Sequence, residues 1–123
     1  MLEHLDYPAG VSLFLSECFR VLEHGGTLTI GVPDLDSIYE RYHKRALPDM
    51  NSEKYILGHP LEELNYCFHQ GGEHKFLYNE GFLTALLLHF GFSSVVRRSF
   101  DPDLDTPLRR DGTLYLVARK SVS

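Results

Sequence analysis

The chain has 123 residues, a net charge of −5, an apolar share of 43% and a charged share of 24%, the make-up of one ordinary globular domain. Its Lys and Arg are scattered, which excludes the dense basic face that nucleic-acid binding requires. The longest apolar run, Leu83 to Phe90, is broken by Thr84 and His89, short of the roughly 20 residues of a membrane span.

In chain order, Val11, Phe14, Leu15, Cys18, Phe19 and Leu22 recur at three- and four-residue spacing and predict an amphipathic helix that Gly25-Gly26 ends. Thr27 to Val32 then alternates Leu28, Ile30 and Val32 with Thr27, Thr29 and Gly31, a strand stopped at Pro33. Asp36 is expected to cap a second helix, with Ile38, Tyr39, Tyr42 and Ala46 on one stripe before Pro48. Pro60 suits a first helical position. Glu62 and Glu63 follow near the positive end of the dipole, and Leu61, Leu64 and Phe68 are expected to face inward before Gly71-Gly72. Asn79 can cap a helix whose Phe82, Leu83, Leu86, Leu87 and Phe90 form a broad apolar face closed by Gly91. Val95 to Phe100 and Thr113 to Arg119 read as antiparallel strands joined by the Asp- and Pro-rich loop Asp101 to Gly112.

Arg97-Arg98 and Arg109-Arg110 are the tight basic pairs and read as solvated charge. Cys18 and Cys67 sit in apolar helical patterns and read as buried thiols without a disulfide. No basic segment precedes an apolar stretch at the N-terminus, so neither a membrane partner nor a secretory leader is expected, and the expected compartment is the cytoplasm.

Taken in order, Leu2-Glu3-His4-Leu5, Phe19-Arg20-Val21-Leu22-Glu23-His24-Gly25-Gly26-Thr27-Leu28 and Val32-Pro33-Asp34 resemble the second half of class I S-adenosylmethionine-dependent methyltransferases. His74-Lys75-Phe76-Leu77-Tyr78, with the helix to Gly91-Phe92, is similar to the segment before the family's sixth strand, so almost the whole chain is covered. The resemblance implies an α/β fold. It would be the C-terminal half of a Rossmann-like methyltransferase sheet, three-stranded (one strand plus an antiparallel pair) with about four helices. It further implies a single partial domain over residues 1–123 in which 36–78 form a lid or cap, and S-adenosylmethionine as cofactor.

The family's first three strands, which bear the cofactor site, have no counterpart here, and Met1 stands where the fourth would be ending. Gly25-Gly26 opens a strand instead of closing one, the wrong end of the sheet to cradle a cofactor. Cofactor-binding residues are therefore unassigned, and binding of S-adenosylmethionine by this chain alone is expected to be weak or absent. Three origins stay open: an expressed fragment, a mis-assigned start and a genuine short homologue.

Ligands of open α/β sheets sit beyond the carboxyl ends of the parallel strands, so the resemblance, which makes Val32 to Asp34 the end of the fifth strand and Glu3-His4 the exit of the fourth, implies that both lie on the ligand side. Methyl transfer needs alignment of the acceptor and, where the acceptor arrives protonated, a base. His4 and His74 are the candidate catalytic bases, against the simpler reading of both as hydrogen-bonding ties; Asp34 and Tyr78 are the candidate substrate-binding groups, with Asp34 more simply a turn or capping residue. His69, Glu73 and His74 miss the H-x-x-E-H spacing of the inverted zinc motif by one residue, with Gly71-Gly72 between them, so no metal is expected.

The expected function is methyl transfer to an unidentified acceptor, inactive in the isolated chain. The alternative is a non-catalytic homologue serving as a dimerisation or interaction module. Either way the first strand's edge is expected to be open, to be covered by a homodimer or by a partner chain that supplies the missing strands.

Overall fold

The computed structural model describes residues 2–44, 55–69, 72–105 and 112–122. After a short 3-10 turn at Leu2–His4 come helix α1 (Ala9–Val21), strand β1 (Thr27–Pro33), helices α2 (Leu35–His43), α3 (Pro60–His69) and α4 (Glu80–His89), then strands β2 (Ser94–Arg97) and β3 (Thr113–Arg119). The fold is α/β, with four α-helices and a three-stranded sheet among the described residues, as the sequence leads one to expect. None of these helices is long and apolar enough to cross a membrane.

The sheet order is β1-β3-β2, so the last strand lies between the other two and runs antiparallel to both. Thr27 pairs with Arg119 and Pro33 with Thr113, while Ser94 also faces Arg119. This register puts Leu28, Ile30 and Val32 beside Ala118, Leu116 and Leu114. Because side chains alternate across a strand, these share one face. Against it pack Val11 and Leu15 of α1 and Leu83 and Leu87 of α4, all essentially without solvent contact. On the opposite face Thr27, Thr29 and Gly31 are exposed and Val96 is 62% exposed, while Tyr115 of the central strand is buried, with the Arg98 guanidinium 4.6 Å from its ring centroid. Among the described residues β1 pairs with β3 alone, and its second edge carries no strand.

The turn ahead of β1 depends on Gly25, whose φ of +83° is open to glycine. Its amide donates to the Lys120 carbonyl at 2.9 Å, at the end of the sheet remote from Pro33. The Lys120 ammonium donates in turn to the carbonyls of Phe19 and Leu22, which α1 leaves unsatisfied at its C-terminus, and sits 4.6 Å from the Phe19 ring centroid. Asn79 caps α4 by accepting from the Phe82 amide at 2.9 Å. No disulfide joins Cys18 and Cys67, both half-buried.

Three local expectations are corrected. Asp34 caps α2, accepting from the Asp36 amide, and Asp36 lies within the first turn. Of the stripe expected on α2 only Ile38 is buried; Tyr39 and Tyr42 are exposed, α2 ends at His43, and Ala46 and Pro48 lie outside the described residues. On α3, Leu61 and Phe68 face solvent, and the inward face is Pro60, Glu63, Leu64 and Cys67. The cause is that α3 packs on α2 and contributes no residue to the apolar cluster on the sheet, so Glu63, paired with Arg41 at 2.8 Å, can sit on its inward face. Its start is fixed by a box of two reciprocal bonds. His59 Nδ1 accepts from the Leu61 amide, and Glu62 reaches back to accept from the His59 amide.

Candidate functional site

A cavity of about 420 Å³ opens at the carboxyl end of β1. Its floor is Gly31 to Pro33, its walls are the Leu2–His4 turn, α2, α3 and the Glu73-His74 segment, and Gly112 and Thr113 close its rim. The two candidate bases, seventy positions apart in the chain, both line it, with ring centroids 5.1 Å apart and planes tilted by 52°.

Each imidazole is oriented by a backbone carbonyl. His4 Nδ1 lies 2.8 Å from the Glu73 carbonyl oxygen, and His74 Nδ1 lies 2.6 Å from that of Cys67. A carbonyl can only accept, so Nδ1 carries the proton in both rings and the lone pair of each neutral ring is on Nε2. The juxtaposition comes from the backbone. The Glu3 carbonyl accepts from the Lys75 amide at 2.7 Å, and Lys75 Nζ reaches Asp6 at 2.9 Å.

Asp34 and Tyr78 meet through their backbones. They form a parallel bridge, and the Leu35 amide donates to the Tyr78 carbonyl at 2.9 Å. The Tyr78 ring is 1% exposed, lies among Phe76 and Phe82 and outside the cavity lining, and burial pushes its hydroxyl up to about 12. Asp34 is also buried and borders an adjoining depression of about 600 Å³ shared with Arg41 and Arg97. Burial raises its carboxyl above the usual range, against the opposing pull of the Asp36 amide and of Arg97 at 3.8 Å.

Sequence reasoning put Glu3 on the ligand side but gave it no role; its buried carboxylate has Oε1 3.5 Å from His4 Nε2. It missed the Arg41–Glu63 pair in the cavity wall, for which no local pattern exists.

The backbone amides at the β1–α2 junction are already engaged, so this junction does not cradle a nucleotide-like cofactor such as S-adenosylmethionine. At the β1–α2 junction, where a nucleotide-like ligand would take backbone amides, the Asp34 amide is donated to Gly112, that of Leu35 to Tyr78 and that of Asp36 to the Asp34 carboxylate.

No protein-family model matches the chain, and no curated protein does. Among solved structures it is similar to a possible exported protein from Bordetella parapertussis, with a TM-score of 0.54 and 13% identity over 98% of this chain. At that identity the likeness concerns the fold alone, and the chain spans 36% of that structure's length.

Proposed function

We propose that this chain is the acceptor-binding half of a methyltransferase-type α/β domain, acting in the cytoplasm on a substrate held in the cavity at the end of β1. One observation carries the reading: His4 and His74 converge where open α/β sheets take their ligands. In it, a neutral imidazole Nε2 receives the proton of the acceptor, α2 and α3 cover the substrate, and Asp34 and Tyr78 fix the cover by their backbone bridge. S-adenosylmethionine would supply the methyl group only in company with elements beyond these residues.

The test is calorimetry with S-adenosylmethionine on the 123-residue chain and on the polypeptide extended by the residues encoded in frame before Met1. Micromolar binding by the extended polypeptide alone is the expected result. Failure of both to bind refutes the methyltransferase reading, and micromolar binding by the short chain refutes the division into halves.

The second edge of β1, which carries no strand among the described residues, and the exposed Val96 favour a second reading, a dimerisation module without catalysis. A two-chain mass by light scattering, with no S-adenosylmethionine binding by either polypeptide, would select it; a one-chain mass would remove it.

A further inference from the structure

Glu3, His4 and His74 each offer a ligand atom, and these atoms all lie within 4.8 Å of one another. We infer that the three side chains form a binding site for a divalent transition-metal ion of the zinc type, open to the cavity at the end of β1. The site stands independently of the methyltransferase reading.

Four features point the same way. Two imidazoles and one carboxylate are the ligand set of open zinc sites, which keep a fourth position for water or substrate. Zinc bonds of about 2.0–2.2 Å place tetrahedral ligand atoms roughly 3.4 Å apart. Glu3 Oε1 and His4 Nε2 already stand at 3.5 Å, and the whole set needs to close by no more than about 1.4 Å. Both histidines have Nδ1 at hydrogen-bond distance from a backbone carbonyl, the outer-shell arrangement that fixes a ligating imidazole and leaves its Nε2 lone pair for an ion. Finally, the ligands are held from two distant parts of the chain by the hydrogen bond between the Lys75 amide and the Glu3 carbonyl, so the set exists before an ion arrives. Magnesium and calcium prefer all-oxygen ligands, so two imidazoles select against them.

The trio differs from His69, Glu73 and His74, the set that sequence spacing brings to mind. Glu73 takes part through its carbonyl, as the acceptor for His4, and the third ligand is Glu3. An ion here presents its remaining positions to the cavity, since all three ligands line it. With an ion in place both Nε2 lone pairs are engaged, so neither imidazole serves as the base of the proposed transfer, and water held on the ion, which loses its proton near neutrality, would take that part.

The experiment titrates chelator-stripped chain with Zn²⁺ alone and with Co²⁺ as a visible reporter. One equivalent is expected to bind with micromolar or tighter affinity. His74→Ala and His4→Ala should each weaken binding by at least 10–100-fold, a loss seen even for outer-shell partners. His89→Ala, on the far end of α4, should bind as the unmodified chain does. Should an alanine variant fail to fold, long-range ¹H–¹⁵N spectra of the unmodified chain decide: on adding Zn²⁺, the Nε2 resonances of His4 and His74 should move together and those of the other histidines stay in place. The inference is overturned by no saturable one-equivalent binding, by binding that survives both alanine changes, or by ¹⁵N shifts confined to other histidines.

Discussion

Gly91 offers a sharp test of how the helices sit on the sheet. Its φ is +110°, and a Cβ built there would stand 2.9 Å from Phe19 Cζ and 3.1 Å from Cε2. The Phe19 ring cannot retreat freely. It meets Phe92 edge to face at 5.3 Å and lies beneath the Lys120 ammonium. Gly91→Ala therefore adds backbone strain of about 1–3 kcal/mol to overpacking of about 1–3 kcal/mol. The expected loss is roughly 2–6 kcal/mol, a large share of the ~5–15 kcal/mol that holds a domain together. Urea denaturation measures it, and Phe19→Leu separates the two parts. In Gly91→Ala/Phe19→Leu the steric part should vanish while the backbone part remains, giving a favourable coupling energy in the double-mutant cycle. A Gly91→Ala chain within about 0.5 kcal/mol of the parent would refute the reasoning, and strict additivity would refute the assignment of the clash to Phe19.

Three further outcomes are expected. Among the described residues the buried Tyr78 hydroxyl has no hydrogen-bond partner, so Tyr78→Phe should be neutral or stabilising by about 1 kcal/mol. In the parent, the native hydroxyl holds its proton up to about 12, so stability should fall as pH rises from the ordinary tyrosine value toward that point, and Tyr78→Phe should flatten this decline in alkaline urea melts. Asp34 has its carboxyl raised in the fold, so the native state binds more protons and stability falls as pH climbs through that window. Asn caps a helix as well as Asp does, so Asp34→Asn should gain on the parent as pH rises above the ordinary aspartate value, and a loss relative to the parent there would contradict the sign. Long-range ¹H–¹⁵N spectra of the ion-free chain should show His4 and His74 as Nδ1–H tautomers, and Nε2–H forms would undo the carbonyl assignment.

Where a segment packs on the apolar sheet, its own pattern reveals it. The spacing of Val11 and Leu15, the alternation from Leu28 to Val32 and from Leu114 to Ala118, and the Asn79-to-Gly91 frame all reappear with nearly the same bounds. The periodicity misleads at α2 and α3, because these helices cover a polar cavity. There Glu63 turns inward to meet Arg41, 22 positions away, while Leu61 and Phe68 are left outside. The start of α3 was legible from Pro60, its first residue, but its cap was not, because that cap is a histidine, outside the usual Ser, Thr, Asp and Asn. His4 and His74 could be named as candidates from residue type, but their meeting depends on the long-range bond from the Lys75 amide to the Glu3 carbonyl, and Glu3 itself is drawn in by that same meeting.

The short run from His74 to Tyr78 stitches three places together: Cys67 through the His74 ring, Glu3 through the Lys75 amide, and Leu35 through the Tyr78 carbonyl. The cavity thus has walls of unequal stiffness. On the side of the Leu2–His4 turn, widening it means tearing backbone bonds anchored to the sheet. On the α3 side, the described ties include an exposed ion pair to Arg41, one imidazole bond and a single long backbone bond from the His74 amide to the His69 carbonyl at 3.3 Å, each able to break and re-form singly. The molecule is accordingly built like a box with a fixed back and a hinged front, and its slow amide exchange should lie behind His74 while α3 breathes.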